Sequence, residues 1–570
     1  MSDDGYQRLA GNEASAETAP AARAPARRTF LFSSAAVGAA LVAGRVMPAG
    51  LAGQSAAAAR HLSGAESARS AWLFSPDTTP SPADWAALQR ALSTHKLLRP
   101  GQSGYSFARQ LFSPQWDSRM PAGVAYCKTN ADVASCISFA TRFSLPIRAR
   151  SGGHSYGGWS TVTGGLVADI SEMSTLSYTP TTVTAGAGIG LIDFYGGLAA
   201  HGRAVPGGSC PTVGLAGLTL GGGVGVMSRA YGLTCDNLTS LDVVTANGTT
   251  LRCTPTKNEP LYWASRGGGG GNFGVATSFT FTTRNLSNIV LFFLSWPWSR
   301  AARVVSAWQS WAPHAPDALW SNLHLSAATG GAPSVGVGGS YIGPVSGAQT
   351  QLDKLYSLVG SGPSSHTLVE HTFLSAMLLE AGCANLPVHA CNTPPGGHLP
   401  RVPFFAKSDI FTKPISTTGI SALTKGIENL RGVRGAAGGS GSIAFDALGG
   451  AVNRLAPDAT AFVHRDALFL AQYYTDWTSP GSSSGVANQR SWIDSYYRSV
   501  HPFASGQAYQ NYPDPTLTNW QQAYYGSNYG MLQSVKATYD PHQVFTFPQA
   551  ITPPAVGEPC GDAGTTVAQC

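Results

Sequence analysis

From Val124 onward, short apolar runs alternate with stretches in which hydrophobic residues recur every three or four positions. Val124-Ala125-Tyr126 has the make-up of a strand, and residues 130–143 follow a helical period with Asn130 or Asp132 near the N-terminus. Residues 145–150 predict a second strand, entered through Pro146, and residues 276–283 another. Beyond Asn285 the strands and helices lengthen and gain Trp and Phe, as in residues 289–296 and 300–311, which places a domain boundary near 285. His464-Arg465-Asp466, continuing through Gln472-Tyr473-Tyr474 to Trp477, predicts a strand with alternate residues on one side. From 514 to 551 that aromatic character gives way to short turns punctuated by Gly and Asn, a segment expected to fold back on the first domain.

Glycine is concentrated between the early elements. Ser151-Gly152-Gly153-His154 is followed by Gly186, Gly188 and Gly190, then by a dense stretch from 207 to 225, then by the tract 267–271 ahead of Asn272-Phe273-Gly274-Val275. Glycine is costly unless backbone must approach something closely, so these loops predict a ligand. Neither GxGxxG in a βαβ setting nor GxxxxGK[ST] after a strand is present, which disfavours a nicotinamide enzyme of the doubly wound type. Histidines and cysteines form no spaced zinc cluster, and no metal is expected. Backbone N–H groups of glycine-rich loops still suit a pyrophosphate.

Bulk properties narrow the class. The 570 residues are 43% hydrophobic and 12% charged, enough for a large core in two or more lobes. The net charge of +6 is scattered singly, so no nucleic-acid partner is expected. Near the start, Arg27-Arg28-Thr29-Phe30-Leu31 leads into an apolar run to Val42 and then Ala-rich sequence to Ala59, the outline of a twin-arginine export signal. Residues 29–43 are too short and too rich in Ala and Gly to span ~30 Å of bilayer, so no stable membrane anchor is expected. Residues 1–59 are read as a removed signal and 60–119 as a lead-in, and the mature protein as secreted. Nine cysteines in an exported chain should pair where geometry allows. Proximity offers Cys127 with Cys136, Cys383 with Cys391 and Cys560 with Cys570, and Cys210 is set aside for chemistry.

Three separated motifs carry a resemblance. Arg150-Ser151-Gly152-Gly153-His154-Ser155, then Gly208-Ser209-Cys210-Pro211-Thr212-Val213-Gly214, then Tyr524-Tyr525-Gly526-Ser527-Asn528-Tyr529 with Tyr539-Asp540-Pro541 and Gln549-Ala550-Ile551, stand in that order. The chain resembles the berberine-bridge-enzyme-like branch of FAD-linked oxidases, whose cofactor half is of the vanillyl-alcohol-oxidase (PCMH) type. The resemblance implies an α+β fold of two lobes. An FAD-binding domain covers 120–285, an antiparallel-sheet substrate domain with flanking helices covers 286–513, a C-terminal segment, 514–551, returns to the FAD domain, and 552–570 is a tail. It implies FAD held bicovalently, His154 bonded to the flavin 8α-methyl and Cys210 to flavin C6. An imidazole nitrogen and a thiolate are the nucleophiles that add to an electron-poor ring. A turn histidine, a disulfide cysteine or a ligand-free tight turn are the plainer readings of such residues. Also matched to the cofactor are Arg150, Ser151, Gly152, Gly153 and Ser155, then Gly214, Gly217, Thr219, Gly221, Gly222 and Gly225, with Val275 at the adenine end and Asn528 near the flavin.

Hydride transfer from an alcohol needs a base. Tyr512, in Asn511-Tyr512-Pro513-Asp514, resembles the active-site tyrosine of the family's sugar-oxidising members, and Asp446 is the expected hydrogen-bond partner that tunes its phenol. Gln472 occupies the position of a carboxylate base in the alkaloid-cyclising member, and an amide takes no proton. Lys407-Ser408-Asp409 resembles a family motif, and a solvated charge pair explains it equally well. Trp477, Tyr473 and Tyr509 are candidates for stacking on a sugar. The expected substrate is a sugar, an oligosaccharide or a glycosylated natural product, oxidised with dioxygen to give hydrogen peroxide. A binding protein that kept the fold without flavin is the reading from a different class.

Overall fold

Helix Asn130–Arg142 starts where Thr129 and Asp132 cap each other: the Thr129 side chain accepts the Asp132 N–H while the Asp132 carboxylate accepts the Thr129 N–H. The cap is therefore Thr129, one residue ahead of the expected start. Its buried face of Val133, Cys136, Ile137 and Ala140 packs onto strands Gly123–Tyr126, Leu166–Asp169 and Ile147–Arg150, which run parallel to one another. Leu97–Leu98 completes this four-stranded sheet, antiparallel at its edge. A second, five-stranded antiparallel sheet holds Val275–Thr282 at its centre, between Thr182–Gly186 and Leu238–Val244. The computed structural model describes residues 79–433, 439–478 and 481–555. The expected export signal, Cys560 and Cys570 lie outside the described residues.

After Asn285 the chain builds a seven-stranded antiparallel sheet. Its order is Ser365–Thr372, Asn288–Trp296, Ser334–Tyr341, Leu319–Ala328, Ser440–Ala447, Phe469–Asp476 and Phe404–Phe411. Helices Ala301–Trp311, Val345–Val359, Thr417–Asn429 and Ser483–Val500 cover one face, sharing a core with Phe292, Leu323, Phe445, Phe469 and Tyr473. Because strand side chains alternate, Asn322, Asp446 and Gln472 emerge on the opposite face. Asn322 and Asp446 are directly paired across Leu319–Ala328 and Ser440–Ala447, and Ala444 pairs with Gln472.

Several local expectations are corrected. The strand expected from His464 begins only at Phe469. His464 and Arg465 are buried outside it, with the Arg465 guanidinium bidentate on Asp236 at 2.8 and 2.9 Å. The closing segment is more helical than its punctuation implied, with helices Trp520–Tyr525 and Tyr529–Tyr539. It does return to the first lobe, where Tyr525 donates to the Gly268 carbonyl and the Ile551 N–H to Asn272 Oδ1. Lys407 and Asp409 are buried rather than solvated: Lys407 Nζ meets Asp514 at 2.7 Å, and Asp409 is held by Tyr473 and His501. Cys383 and Cys391 form a disulfide. The Cys127 and Cys136 sulfurs lie 3.7 Å apart, in contact but unbonded.

Candidate active site

The two glycine-rich loops meet at Gly152 and Gly214, where a Cβ on either would stand 2.3 Å from the backbone nitrogen of the other. No other residue fits at that crossing. The loops wall a cavity that runs from Val275 and the 269–271 tract to the face of the large sheet. Ser151, Gly152, Gly153, His154, Ser155, Cys210, Gly214, Gly217, Gly225 and Val275 line it, and so do Asp446 and Tyr512.

His154 is oriented from two sides. Its Nε2 lies 2.7 Å from Thr212 Oγ1, and its ring stacks on Phe112 at 4.0 Å between centroids and 19° between planes. Burial lowers its pKa to about 3, so the imidazole is neutral across the physiological range. Burial pushes the Cys210 thiol up to about 12. At the opposite end, the Tyr512 ring lies parallel to Tyr156, 5.4 Å away and tilted by 3°, and edge-on to Tyr509. Gln472 Nε2 donates to the Tyr156 hydroxyl at 2.6 Å. Asp446 Oδ1 is buried without a hydrogen-bond partner among the described residues, and burial raises that carboxyl to about 7. Tyr512 is driven well above the usual phenol range, first by burial, then by Tyr156 and the Asp446 charge. The hydrogen bond expected between Asp446 and Tyr512 is not formed. The two groups influence each other through space because the phenol is turned to stack on Tyr156.

Residues 121–254 match the FAD binding domain family, and residues 508–552 the family described as berberine and berberine like. An uncharacterized FAD-linked oxidoreductase of Bacillus subtilis (strain 168) is 36% identical over 445 residues, which span 76% of this chain and 92% of that protein. The chain belongs to the berberine-bridge-enzyme-like family. It is an FAD-linked oxidoreductase with the PCMH-type fold. A solved structure of Physcomitrella patens BBE-like 1 superposes with a TM-score of 0.72 at 30% identity, covering 81% of this chain and 98% of that one. A xylooligosaccharide oxidase of Thermothelomyces thermophilus is 30% identical over 456 residues, 76% of this chain and 88% of that protein.

The cavity fits FAD. At Gly217 a Cβ would point into open space, so the missing side chain leaves room beside the loop for a ligand. Gln549 Oε1, also on the cavity wall, is a buried acceptor with no partner among the described residues. Other family-motif residues hold the walls without lining them. Arg150 is paired with Asp169, and Thr219 donates back to the Leu215 carbonyl in its own short helix. Gly221 is filled by the Asn511 amide and Gly222 packs on Phe462. Asn528 donates to the Pro457 and Thr460 carbonyls, and Gln472 reaches the site only through Tyr156. Of the expected stacking aromatics, Tyr473 faces the helices and Trp477 packs on Phe405. Tyr509 lines the cavity, its hydroxyl accepting from the Gly223 and Val224 N–H groups.

Sequence reasoning missed Tyr156, Thr212 and Phe112. Tyr156 and Thr212 each stand two residues from an assigned nucleophile, which is a usable signal. Phe112 belongs to a stretch read only as a lead-in, and reaches His154 because its N–H bonds the Gly153 carbonyl.

Proposed function

We propose that the protein is an exported oxidase that carries FAD on two covalent links, through His154 and Cys210. It oxidises an alcohol or hemiacetal carbon of a sugar or oligosaccharide, with dioxygen as electron acceptor and hydrogen peroxide as product. The observation that carries this reading is that both nucleophiles, Tyr512 and Asp446 line one cavity. The cofactor this cavity would hold is FAD, which would supply the two-electron acceptor for the donor carbon. Ser151, Gly152, Gly153 and Ser155 on one loop, Gly214, Gly217 and Gly225 on the other, and Val275 beyond them would hold it.

The protein's own part is to bind the donor and move one proton. Tyr156, Tyr509 and Tyr512 give a sugar ring flat apolar faces and hydroxyl edges. A phenol as deeply buried as Tyr512 does not ionise by itself at neutral pH. It takes the donor's hydroxyl proton only as its own proton passes on, and because Asp446 makes no hydrogen bond to the phenol, that proton reaches the carboxylate, with its pKa of about 7, through a water or donor hydroxyl between them. Oligosaccharides are the favoured donors because relatives such as the xylooligosaccharide oxidase carry that activity in their names.

The first experiment is acid precipitation of the purified protein, with absorbance of the pellet and peroxide detection across a panel of sugars and oligosaccharides. A yellow pellet with peroxide from a sugar supports the reading. Flavin lost to the supernatant removes the covalent links, and a yellow protein inert to every sugar redirects the substrate to another alcohol. A colourless protein returns the chain to a binding role.

A further inference from the structure

Thr212 is hydrogen-bonded to His154, and its placement bears on how the flavin is attached. His154 Nε2 is engaged by Thr212 Oγ1 at 2.7 Å, while Nδ1 makes no hydrogen bond among the described residues. Phe112, stacked at 4.0 Å, fixes the plane of the ring, so Nε2 stays on Thr212 and Nδ1 stays on the other side. His154 lines the cavity, so the ring edge left unbonded belongs to a side chain that faces the cofactor space. Cys210 and Thr212 share one loop, which couples the placement of the two expected attachment points.

We propose that Thr212 is a positioning residue for covalent flavinylation, holding His154 through Nε2 so that Nδ1 is the nitrogen that bonds the flavin 8α carbon. This rests on the covalent reading above. In the step, the Nδ1–C8α bond forms, while one C–H bond of the 8α-methyl and the Nε2–H bond break. The two protons and the electron pair reduce the flavin, and dioxygen then takes them to give hydrogen peroxide. A neutral ring with its hydrogen on Nε2 has the required lone pair on Nδ1. The low pKa that burial gives His154 keeps the ring in a neutral form. A threonine hydroxyl serves both ends of the step: it accepts from Nε2–H as positive charge builds on the ring, and donates to Nε2 once that proton has gone. Valine has the same shape and does neither, whereas serine keeps both capacities.

The test is peptide mapping by mass spectrometry of the full-length holoprotein, in the native form and as Thr212→Val, Thr212→Ser and Thr212→Ala, with total flavin per chain measured alongside. In the native protein, flavin bridges the peptide holding His154 to the peptide holding Cys210. Thr212→Val is expected to lower the His154-linked fraction at least ~10-fold, the scale of loss when a reacting group is misplaced, while Cys210 still carries flavin. Thr212→Ser is expected to restore the bridge. Thr212→Ala carries the same expectation as valine if the valine variant does not fold. Bridged flavin at the native level in the valine or alanine variant overturns the role of Thr212. Native protein without flavin on His154 overturns the covalent reading itself, a result that the variants are not needed to recognise.

Discussion

Asp446 shows how one register choice becomes chemistry. It alternates with Phe445 and Ala447, which face the helices, so the strand period turns it to the cavity and burial raises its pKa to about 7. The folded-state pKa is above the unfolded value of ~3.9, so the native state holds a proton that the unfolded chain has lost between about pH 4 and 7. This contribution to stability is present at low pH and is lost as pH rises through about 7. Buried Glu380, raised to about 8 by burial and then by Asp446, extends the same trend upward. Asp446→Asn is therefore expected to melt above the native protein at pH 8, with the gap closing toward pH 5 in thermal unfolding curves. The same substitution should slow flavin reduction by substrate about 10²-fold and remove the rise in kcat/KM through pH 7, measured by stopped-flow absorbance across that range. Tyr512→Phe should lower the reduction rate by a similar ~10²-fold and leave flavin content unchanged. Unaltered reduction would shift the proton acceptor to Asp446 alone.

At the scale of elements, helix Tyr529–Tyr539 ties the closing segment to the flavin lobe through a single charge. Lys536 Nζ, fully buried, bonds Asp540 at 2.6 Å and the Asn272 and Phe545 carbonyls at 2.6 and 2.7 Å. Asp540 in turn accepts the Val544 and Phe545 N–H groups. Removing the cation strands a buried carboxylate, which costs about 3–5 kcal/mol. Lys536→Met is expected to lower the denaturant midpoint accordingly and to reduce flavin incorporation, because Phe545, Phe547 and Gln549 beyond this anchor line the cavity. The helix was missed as a helix because its register of Tyr, Gly, Ser and Thr has weak local preference, and docking on the first lobe supplies what propensity does not. The capped helix Asn130–Arg142 was legible because its signal lies in adjacent residues.

At the scale of the whole molecule, the cavity exists only where the two lobes meet, and buried cations fasten that junction. Arg229, in the short helix Ser228–Tyr231 of the flavin lobe, donates to the Pro313, Ala315, Leu319 and Leu448 carbonyls of the sheet lobe. Arg229→Met leaves those buried carbonyls unpaired, at about 1–3 kcal/mol each before relaxation. It is expected to lower the melting temperature and expose the junction to limited proteolysis, with Arg465, bidentate on Asp236, still in place beside it.

By itself the sequence determined the family, the flavin cofactor and the two loops that wall the cavity, since these are written in local strings where glycine permits a close backbone approach. It also determined which strand residues share a face, because that alternation is intrinsic to the extended chain. The tertiary structure decided which motif residues line the cavity and which only support it. Arg150 and Asn528 stand in the motifs yet spend their polar groups on Asp169 and on backbone carbonyls. Phe112, Thr212 and Tyr156 belong to the site through packing and hydrogen bonds. The physical reason is that a motif fixes spacing along the chain, while the direction of each side chain depends on partners from distant segments. Tyr512 turns toward Tyr156, away from a bond with Asp446, because that stacking partner comes from the other lobe.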